Sequence, residues 1–282
     1  MEISAPPPLD PAYLRELLLF YADAGVDEAL LDAPVDRIAE VAATQLARTA
    51  SPARELPRQQ PARAPEPARP AAAMSVPDDA QAARARELAS KAQSLDELRE
   101  ILAGFDGCNL KFTAKQLVFG DGNAAADLML VGEAPGRDED IEGIPFAGRT
   151  GSLLDRMLAA IGIDRSEGAY IANVVSWRPP GNRAPTALET EICRPFIERQ
   201  IELVNPKVLV TLGGPPAKVL LDANDAVLRL RGTWKVHRTA SGAEIPTMPT
   251  LHPLYLLRNP AHKKLVWRDL LEIRAKLEEL RG

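Results

Sequence analysis

Carboxylates are the most concentrated chemically useful side chains in this sequence. Five of them fall within ten residues, beside two glycines and a proline: Glu133, Asp138, Glu139, Asp140 and Glu142. The apolar run at 128–131 precedes them and predicts a buried parallel strand, so the carboxylates lie in a loop at the carboxyl end of a strand. Ligands bind at that end of an open α/β sheet, and glycines let the backbone approach a ligand closely. The same charges could instead form a solvated acidic loop.

Two other candidate residues also follow predicted strands. Asn173 comes directly after an apolar run at 170–172, and its amide, which offers a donor and an acceptor, could read the edge of a base. His252 follows a predicted strand at 246–250 and precedes a basic stretch. Taken singly, an asparagine in this place is more often a turn or capping residue, and a lone histidine is ordinarily structural.

The elements that must position these residues alternate along the chain. Apolar runs predict strands near 128–132, 169–175, 207–212 and 246–250, and helical periodicity predicts helices near 150–162, 186–204, 215–222 and 261–280. Such alternation predicts a three-layer α/β/α domain over residues 81–282, with a central four-stranded parallel sheet. The third strand ends in Gly213-Gly214-Pro215, which predicts a helix N-terminus suited to a phosphate.

Residues 1–80 have a different character. Helical periodicity over 10–48 predicts a small helical hairpin within a segment 1–49, which either has only a core of its own or offers a helix to a protein partner. Residues 50–80 are rich in proline, alanine and arginine and lack apolar periodicity, which predicts a disordered linker. Helical periodicity resumes near Asp79, and Ser94 followed by Glu97 predicts a capping box.

The composition limits the classes of protein to consider. The chain has 282 residues, no apolar run of the ~20 residues that a membrane span requires, and no basic start typical of a signal peptide. We therefore expect a cytoplasmic monomer without a membrane segment. The net charge of −5 belongs to the N-terminal part, because residues 1–104 have 11 Lys+Arg against 17 Asp+Glu and residues 105–282 have 23 against 22. The second part can hold a local basic face, but not a strong nonspecific DNA-binding surface.

The motifs, taken in their order, resemble one known family. GEAPG followed by RDED and IPFAGRTG, then NVVSWRPPGNRAPT, then LGGPPA, then HPLYLLR, are similar to the motifs of the family 4 uracil-DNA glycosylases of bacteria and archaea. The resemblance covers about residues 105–280 and leaves 1–80 unmatched. It implies an enzyme that acts on DNA containing uracil and hydrolyses the N-glycosidic bond of uracil, or of other deaminated or damaged bases. The alternative is a non-catalytic module of the same fold that binds a base or nucleotide.

The resemblance also implies a role for each matching residue. Glu133 matches the carboxylate that orients water and stabilises positive charge on the sugar, and Glu139 matches a second acidic position. Phe146 matches the aromatic residue on which the flipped base stacks, Asn173 the amide that reads the uracil edge, and His252 the residue that hydrogen-bonds O2 of the departing uracil. The expected substrate-binding residues are Gly132, Ala134, Phe146 and Asn173. The expected DNA-binding residues are Arg178, Arg183, Gly214 and Arg258.

The sequence departs from that family at the cofactor. Family 4 members hold an iron–sulfur cluster on four cysteines, whereas this chain has only Cys108 and Cys193, with Phe105 and Trp177 at the other two positions. Because a cluster of this kind takes four cysteine ligands, we expect neither a cluster nor another metal or cofactor. We also expect the two aromatic rings to fill the vacated volume, since an empty cavity would be costly.

Overall fold

The structure, a computed structural model, describes residues 78–282, which fall within one compact unit of the chain. The predicted hairpin at 1–49 and nearly all of the predicted linker at 50–80 lie outside the described residues. The first described helix begins at Asp78, so the last three residues assigned to the linker are helical.

A mixed six-stranded sheet forms the centre of the described fold. Its strands are β1 (Asp121–Gly122), β2 (Leu128–Gly132), β3 (Ala169–Asn173), β4 (Val208–Leu212), β5 (Lys235–Arg238) and β6 (Glu244–Thr250). They lie side by side in the order β1-β3-β2-β4-β6-β5. The four inner strands run parallel to one another, and β2, β3 and β4 are buried along their whole length. The predicted four-stranded parallel core is therefore confirmed.

The sheet is larger than predicted because each edge carries an additional strand. β1 runs antiparallel to β3, and β5 runs antiparallel to β6. β1 has only two residues, and three of the four residues of β5 are exposed. Neither edge strand has the apolar run that identifies a buried strand in a sequence, because an edge strand has one side open to solvent.

Ten α-helices surround the sheet within residues 78–282. They are α1 (Asp78–Lys91), α2 (Leu95–Gly104), α3 (Arg137–Glu142), α4 (Gly148–Ala159), α5 (Arg165–Gly168), α6 (Ala187–Val204), α7 (Gly214–Leu221), α8 (Val227–Leu230), α9 (Pro253–Arg258) and α10 (Lys263–Arg281). The four helices predicted after residue 150 correspond to α4, α6, α7 and α10, with bounds that differ by three residues at most. The helices that were not predicted are too short to show a periodicity.

Two helix starts illustrate the local capping chemistry. The Ser94 hydroxyl accepts from the backbone N–H of Glu97 at 3.2 Å, but the Glu97 carboxylate accepts from the backbone of Gln93 rather than of Ser94, so only half of the predicted capping box forms. A complete box starts α6, where Thr186 and Glu189 each accept a hydrogen bond from the backbone N–H of the other.

Apolar side chains on the two faces of the sheet form two core clusters. Alternate residues of β2 belong to different clusters: Met129 and Val131 pack on the side of α1, α2 and α6, and Leu128 and Leu130 on the side of α4 and α10. This arrangement confirms the three-layer α/β/α fold. Because the inner strands are parallel, their carboxyl ends, with the loops that follow them, meet at one edge of the sheet.

Candidate active site

A pocket of about 390 Å³ opens at the carboxyl ends of the parallel strands. It is lined by the loop after β2, the residue Phe146, the end of β3, the loop at 179–185 and the start of α9. The predicted site residues that it brings together are Glu133, Ala134, Glu139, Phe146, Asn173, Arg183, His252 and Arg258. Residues more than one hundred positions apart in the sequence thus share one cavity.

Gly132, the last residue of β2, is the point at which two of these side chains meet. A Cβ atom added to Gly132 would lie 2.3 Å from Oδ1 of Asn173 and 2.7 Å from Cζ of Phe146. No side chain fits there, and the missing Cβ allows the amide and the aromatic ring to approach the same place. Gly132 does not itself line the pocket, and its role in substrate binding stays a prediction.

Asn173 is held rigidly at the end of β3. Its Cα pairs with that of Gly132 across the parallel ladder, and the next two residues donate to the first loop, Val174 to the Gly132 carbonyl and Val175 to the Glu133 carbonyl. Asn173 is only 4% exposed, and within residues 78–282 its side-chain amide makes no hydrogen bond. Both the donor and the acceptor of the amide therefore remain available to a ligand.

Phe146 and His252 lie together at the pocket. Their ring centroids are 5.3 Å apart and the ring planes are inclined by 31°. Phe146 is buried and has a left-handed backbone, with φ of 54°, which is unusual for a bulky residue. The flat apolar face of Phe146 is suited to stack on another ring.

His252 caps the N-terminus of α9, and its Nδ1 accepts a hydrogen bond from the backbone N–H of Leu254 at 3.1 Å. Burial lowers the pKa of His252 to about 4, so the imidazole is neutral near pH 7. Because Nδ1 serves as the acceptor, the proton of the neutral ring resides on Nε2. His252 therefore presents a neutral hydrogen-bond donor.

The two predicted catalytic carboxylates differ in their surroundings. Glu133 is partly buried, and burial raises its pKa above the usual range. Within residues 78–282 its carboxylate has no hydrogen-bond donor. Burial also raises the pKa of Glu139, but the Glu139 carboxylate accepts from the backbone N–H of Gly136 at 2.9 Å and helps to start α3. Glu133 is therefore the carboxylate that is free to act on a bound molecule.

The predicted DNA-binding arginines lie in three different settings. Arg183 lines the pocket, but its guanidinium holds the Glu189 carboxylate through two hydrogen bonds of 2.8 and 2.6 Å, which lowers the pKa of Glu189 to about 2. Arg258 is exposed at the pocket rim. Arg178 lies outside the pocket lining and donates from Nε to Asn182 Oδ1 at 2.7 Å.

Gly214 also lies outside the pocket lining. Its neighbour Gly213 has φ of 104° and packs against His252, since a Cβ added there would lie 3.4 Å from the His252 Cβ. Of the two glycines after β4, Gly213 therefore contacts a pocket residue, whereas a Cβ added to Gly214 would meet Val227 at 3.8 Å.

Three polar residues that line the pocket were not singled out from the sequence: Thr150, Asn182 and Tyr255. Asn182 has a left-handed backbone with φ of 56°, which asparagine tolerates better than most residues. The signal for Asn182 was its place within the motif SWRPPGNRAPT. Tyr255 carries no such signal, and its hydroxyl is hydrogen-bonded to His262 Nδ1 at 2.8 Å.

The two cysteines meet in the core, away from the pocket. Cys193 donates to Cys108 with 3.9 Å between the sulfur atoms, and this hydrogen bond, together with burial, raises the pKa of Cys193 well above its usual range. Phe105 is 1% exposed and Trp177 is 2% exposed, and both belong to the same apolar cluster as the cysteines. The predicted burial of the two aromatic residues is confirmed. Two thiols and two aromatic rings do not fit a cluster that needs four thiolates.

The free amide, the neutral imidazole donor and the partly buried carboxylate surround a pocket with an aromatic wall. In an α/β protein, a pocket with these groups has the size and the polar atoms suited to a flat polar ring. The sequence model of the uracil DNA glycosylase superfamily matches residues 119–271, and the chain belongs to that superfamily.

Several curated proteins are similar to this chain. A type-4 uracil-DNA glycosylase of Archaeoglobus fulgidus is 39% identical over 186 residues, which cover 64% of this chain and 92% of the relative. A type-4 uracil-DNA glycosylase of Thermotoga maritima is 38% identical over 185 residues, which cover 62% of this chain and 92% of the relative. A DNA polymerase of Bacillus phage SP01 is 30% identical over 160 residues, which cover 57% of this chain and 17% of that protein.

Proposed function

We propose that this protein is a uracil-DNA glycosylase, which hydrolyses the bond between uracil and deoxyribose in DNA and leaves an abasic site. The observation that carries the proposal is the meeting of Glu133, Asn173 and His252 in one pocket. Identities of 37–39% with type-4 uracil-DNA glycosylases over most of the length of those proteins support it. The base must leave the helical stack to enter such a pocket, so DNA containing uracil is the substrate.

Asn173 recognises the edge of the flipped base. Its amide N–H donates to O4 of uracil, and its Oδ1 accepts from N3–H. Cytosine presents a donor at C4 and an acceptor at N3, so the same amide meets the wrong pattern there. Because Asn173 is buried and has no other hydrogen bond within residues 78–282, a mismatched base leaves its polar atoms unpaired, which is costly. Phe146 stacks on the face of the accepted base.

His252 stabilises the departing uracil. When the bond from C1′ to N1 breaks, the electron pair goes to uracil, and negative charge develops on O2 and the ring. A neutral Nε2–H donor fixed in advance stabilises this charge without having to reorganise. The hydrogen bond from Leu254 to Nδ1 keeps the proton on Nε2. The low pKa of His252 means that this form persists throughout the neutral pH range.

Glu133 acts on the sugar and on the water. The sugar becomes positively charged as the base departs, and a nearby carboxylate stabilises that charge. The water oxygen then bonds to C1′, and Glu133 accepts the proton that the water loses. The free Glu133 carboxylate suits both tasks, while Glu139, which holds the backbone of Gly136, positions the loop. We therefore assign the water to Glu133.

Contacts with DNA outside the pocket are assigned to two arginines. Arg258 is exposed at the rim, and Arg183 is fixed there by Glu189, so both can lie beside phosphates of a strand whose base enters the pocket. Within residues 78–282 no helix is long and apolar enough to cross a membrane. A monomeric state, a location in the cytoplasm and a protein partner for residues 1–49 stay predictions.

We also propose that the enzyme works without an iron–sulfur cluster. Four thiolates hold such a cluster, and this chain has two cysteines in all. The Phe105 ring packs against Phe196 with 5.2 Å between centroids, and Trp177 is buried in the same apolar cluster. These contacts, rather than a metal, hold together the segments that the cysteines belong to.

Incubation with matched oligonucleotides tests the proposed function. Single- and double-stranded oligonucleotides with one uracil, or with cytosine or thymine in its place, are incubated with the purified protein and then cleaved with alkali. We expect strand cleavage at uracil and none at cytosine. Binding to the uracil oligonucleotides without any abasic product would favour the non-catalytic binding module instead.

A further inference from the structure

The backbone of Phe146 adopts a conformation that is unfavourable for a bulky residue. Its φ of 54° lies in the left-handed region, where a side chain with a Cβ collides with its own backbone. Such strain persists only where the surroundings fix the chain in place, and it is concentrated at functional sites. The residues that impose this conformation therefore control where the Phe146 ring lies.

Arg165, in the short helix α5, is the residue that grips this segment. One terminal nitrogen of its guanidinium donates to the Pro145 carbonyl at 2.5 Å, and the other donates to the Phe146 carbonyl at 3.1 Å. Its side chain is 19% exposed and is itself held by Asp121 at 2.8 Å and by Asp155 at 3.0 Å. A planar guanidinium presents its donors in a fixed arrangement, which a lysine does not.

The opposite side of the Phe146 carbonyl is closed by α4. A Cβ added to Gly151 would lie 1.8 Å from the Phe146 carbonyl oxygen. The carbonyl therefore lies directly against the helix backbone and keeps one orientation, between Gly151 on one side and the Arg165 guanidinium on the other. The ring at the other end of the residue reaches Gly132 and His252.

We propose that Arg165 is a positioning residue for uracil excision, which acts through Phe146 and contacts neither the base nor the reacting atoms. Arg165 is absent from the pocket lining, so its effect on the reaction passes through the two carbonyls that it holds. This inference rests on the proposed stacking role of Phe146. Loss of the two hydrogen bonds from Arg165 to the carbonyls of Pro145 and Phe146 lets this segment relax towards an ordinary backbone conformation. The Phe146 ring then moves away from the base.

A double-mutant cycle tests this inference, with kcat/KM for uracil excision from a single-stranded oligonucleotide as the readout. We expect Arg165→Met to lower kcat/KM by about 10- to 100-fold, since a misplacement of about 1 Å in a positioning group can cost that much. In the Phe146→Ala background we expect the same substitution to change kcat/KM less than about 2-fold, because there is no ring left to position.

Two further variants distinguish the effect of the two carbonyl hydrogen bonds of Arg165 from the effect of its charge and from an effect on folding. Arg165→Lys keeps a positive charge beside Asp121 and Asp155 and should fold, but it should lower kcat/KM nearly as much as Arg165→Met. Asp155→Asn removes one anchor of Arg165 and keeps both carbonyl bonds, so it should retain most of the activity.

The outcomes distinguish the inference from the role on which it rests. An equal loss from Arg165→Met in the wild-type and Phe146→Ala backgrounds, or full activity of Arg165→Lys, would overturn the positioning role of Arg165 alone. Full activity of Phe146→Ala would instead overturn the stacking role of Phe146.

Discussion

The backbone N–H of Leu254 donates to Nδ1 of His252 at a distance of 3.1 Å. This contact fixes the ring at the start of α9 and determines which nitrogen can donate to a ligand. Since burial lowers the pKa of His252 to about 4, the ring is a neutral donor at the pH of a cell. The proposed stabilisation of the uracil anion depends on this single tautomer.

The low pKa of His252 predicts a pH-dependent loss of stability. In the unfolded chain its pKa is near 6.5, and in the folded protein it is about 4, so the unfolded state takes up a proton first as the pH falls. The contribution of the neutral ring is complete above pH 6.5 and is lost as the pH falls from 6.5 towards 4. We expect the melting temperature of the wild type to fall more between pH 7 and pH 5 than that of His252→Gln. Parallel curves for the two proteins would contradict the assigned pKa.

Glu133 predicts the acid side of the pH–rate profile. Burial raises its pKa above 4.5, and the carboxylate form is the active one, so kcat/KM should fall as the pH decreases through that raised pKa. Glu133→Gln should lower kcat/KM by about 100-fold or more and abolish this acid limb. Glu139→Gln serves as the matched control, because it removes a second pocket carboxylate whose pKa is raised by burial, and it should retain the acid limb. If Glu139→Gln abolished the acid limb and Glu133→Gln did not, the activation of water would be assigned to Glu139.

The edge recognition assigned to Asn173 predicts a specific defect in Asn173→Asp. The carboxylate still accepts from N3–H of uracil, but it has no donor for O4 and repels that oxygen. We expect uracil excision to fall by about 10-fold or more in a protein that still folds, with a lower melting temperature at pH 8 because a carboxylate replaces a buried amide. Excision at the wild-type rate would show that another residue reads the base.

Much of this architecture follows from local sequence patterns. The strands β2, β3 and β4 are buried along their whole length and mostly apolar because both faces are covered, and this produces a clear signal in the sequence. The strand β5 has the sequence Lys-Val-His-Arg. Its exposed edge position allows polar residues, so it lacks the apolar pattern from which a strand is predicted. The register of the parallel sheet brings Gly132 beside Asn173. This register depends on pairing between distant segments, so neither segment alone predicts it.

The site residues likewise divide into those that the sequence predicts and those that only the folded chain reveals. Glu133, Phe146, Asn173 and His252 stand in motifs and were identified, because their chemistry is specific to their type. Arg165 was not identified, since its partners are backbone carbonyls about 20 residues away and its segment, Asp-Arg-Ser-Glu-Gly, is typical of a solvated turn. The different surroundings of Glu133 and Glu139 likewise depend on burial, which only the folded chain reveals.

The packing around the cysteines predicts the stability of a tryptophan variant. Trp177 is 2% exposed, and its truncation in Trp177→Ala should lower the free energy of unfolding by about 3–5 kcal/mol, as is typical of large aromatic residues in cores. Trp267, which is 44% exposed, provides the comparison, and Trp267→Ala should lower the free energy of unfolding by less than Trp177→Ala does, because much of its side chain is already in contact with water. Urea denaturation measures both. The purified protein should also be colourless, and iron in stoichiometric amounts would contradict the cluster-free core.

The most direct test of the account is single-turnover excision of uracil from one oligonucleotide by the wild type and by His252→Ala. We expect the wild type to release uracil and leave an abasic site that alkali cleaves. We expect His252→Ala to remain folded at pH 8, with a lower melting temperature because the cap of α9 is lost, and to bind the same oligonucleotide. It should react about 100-fold more slowly, because a single fixed donor to a developing anion typically contributes that much. A rate for His252→Ala within a few-fold of the wild type would contradict the role assigned to His252. No release of uracil by the wild-type protein would contradict the proposed glycosylase activity.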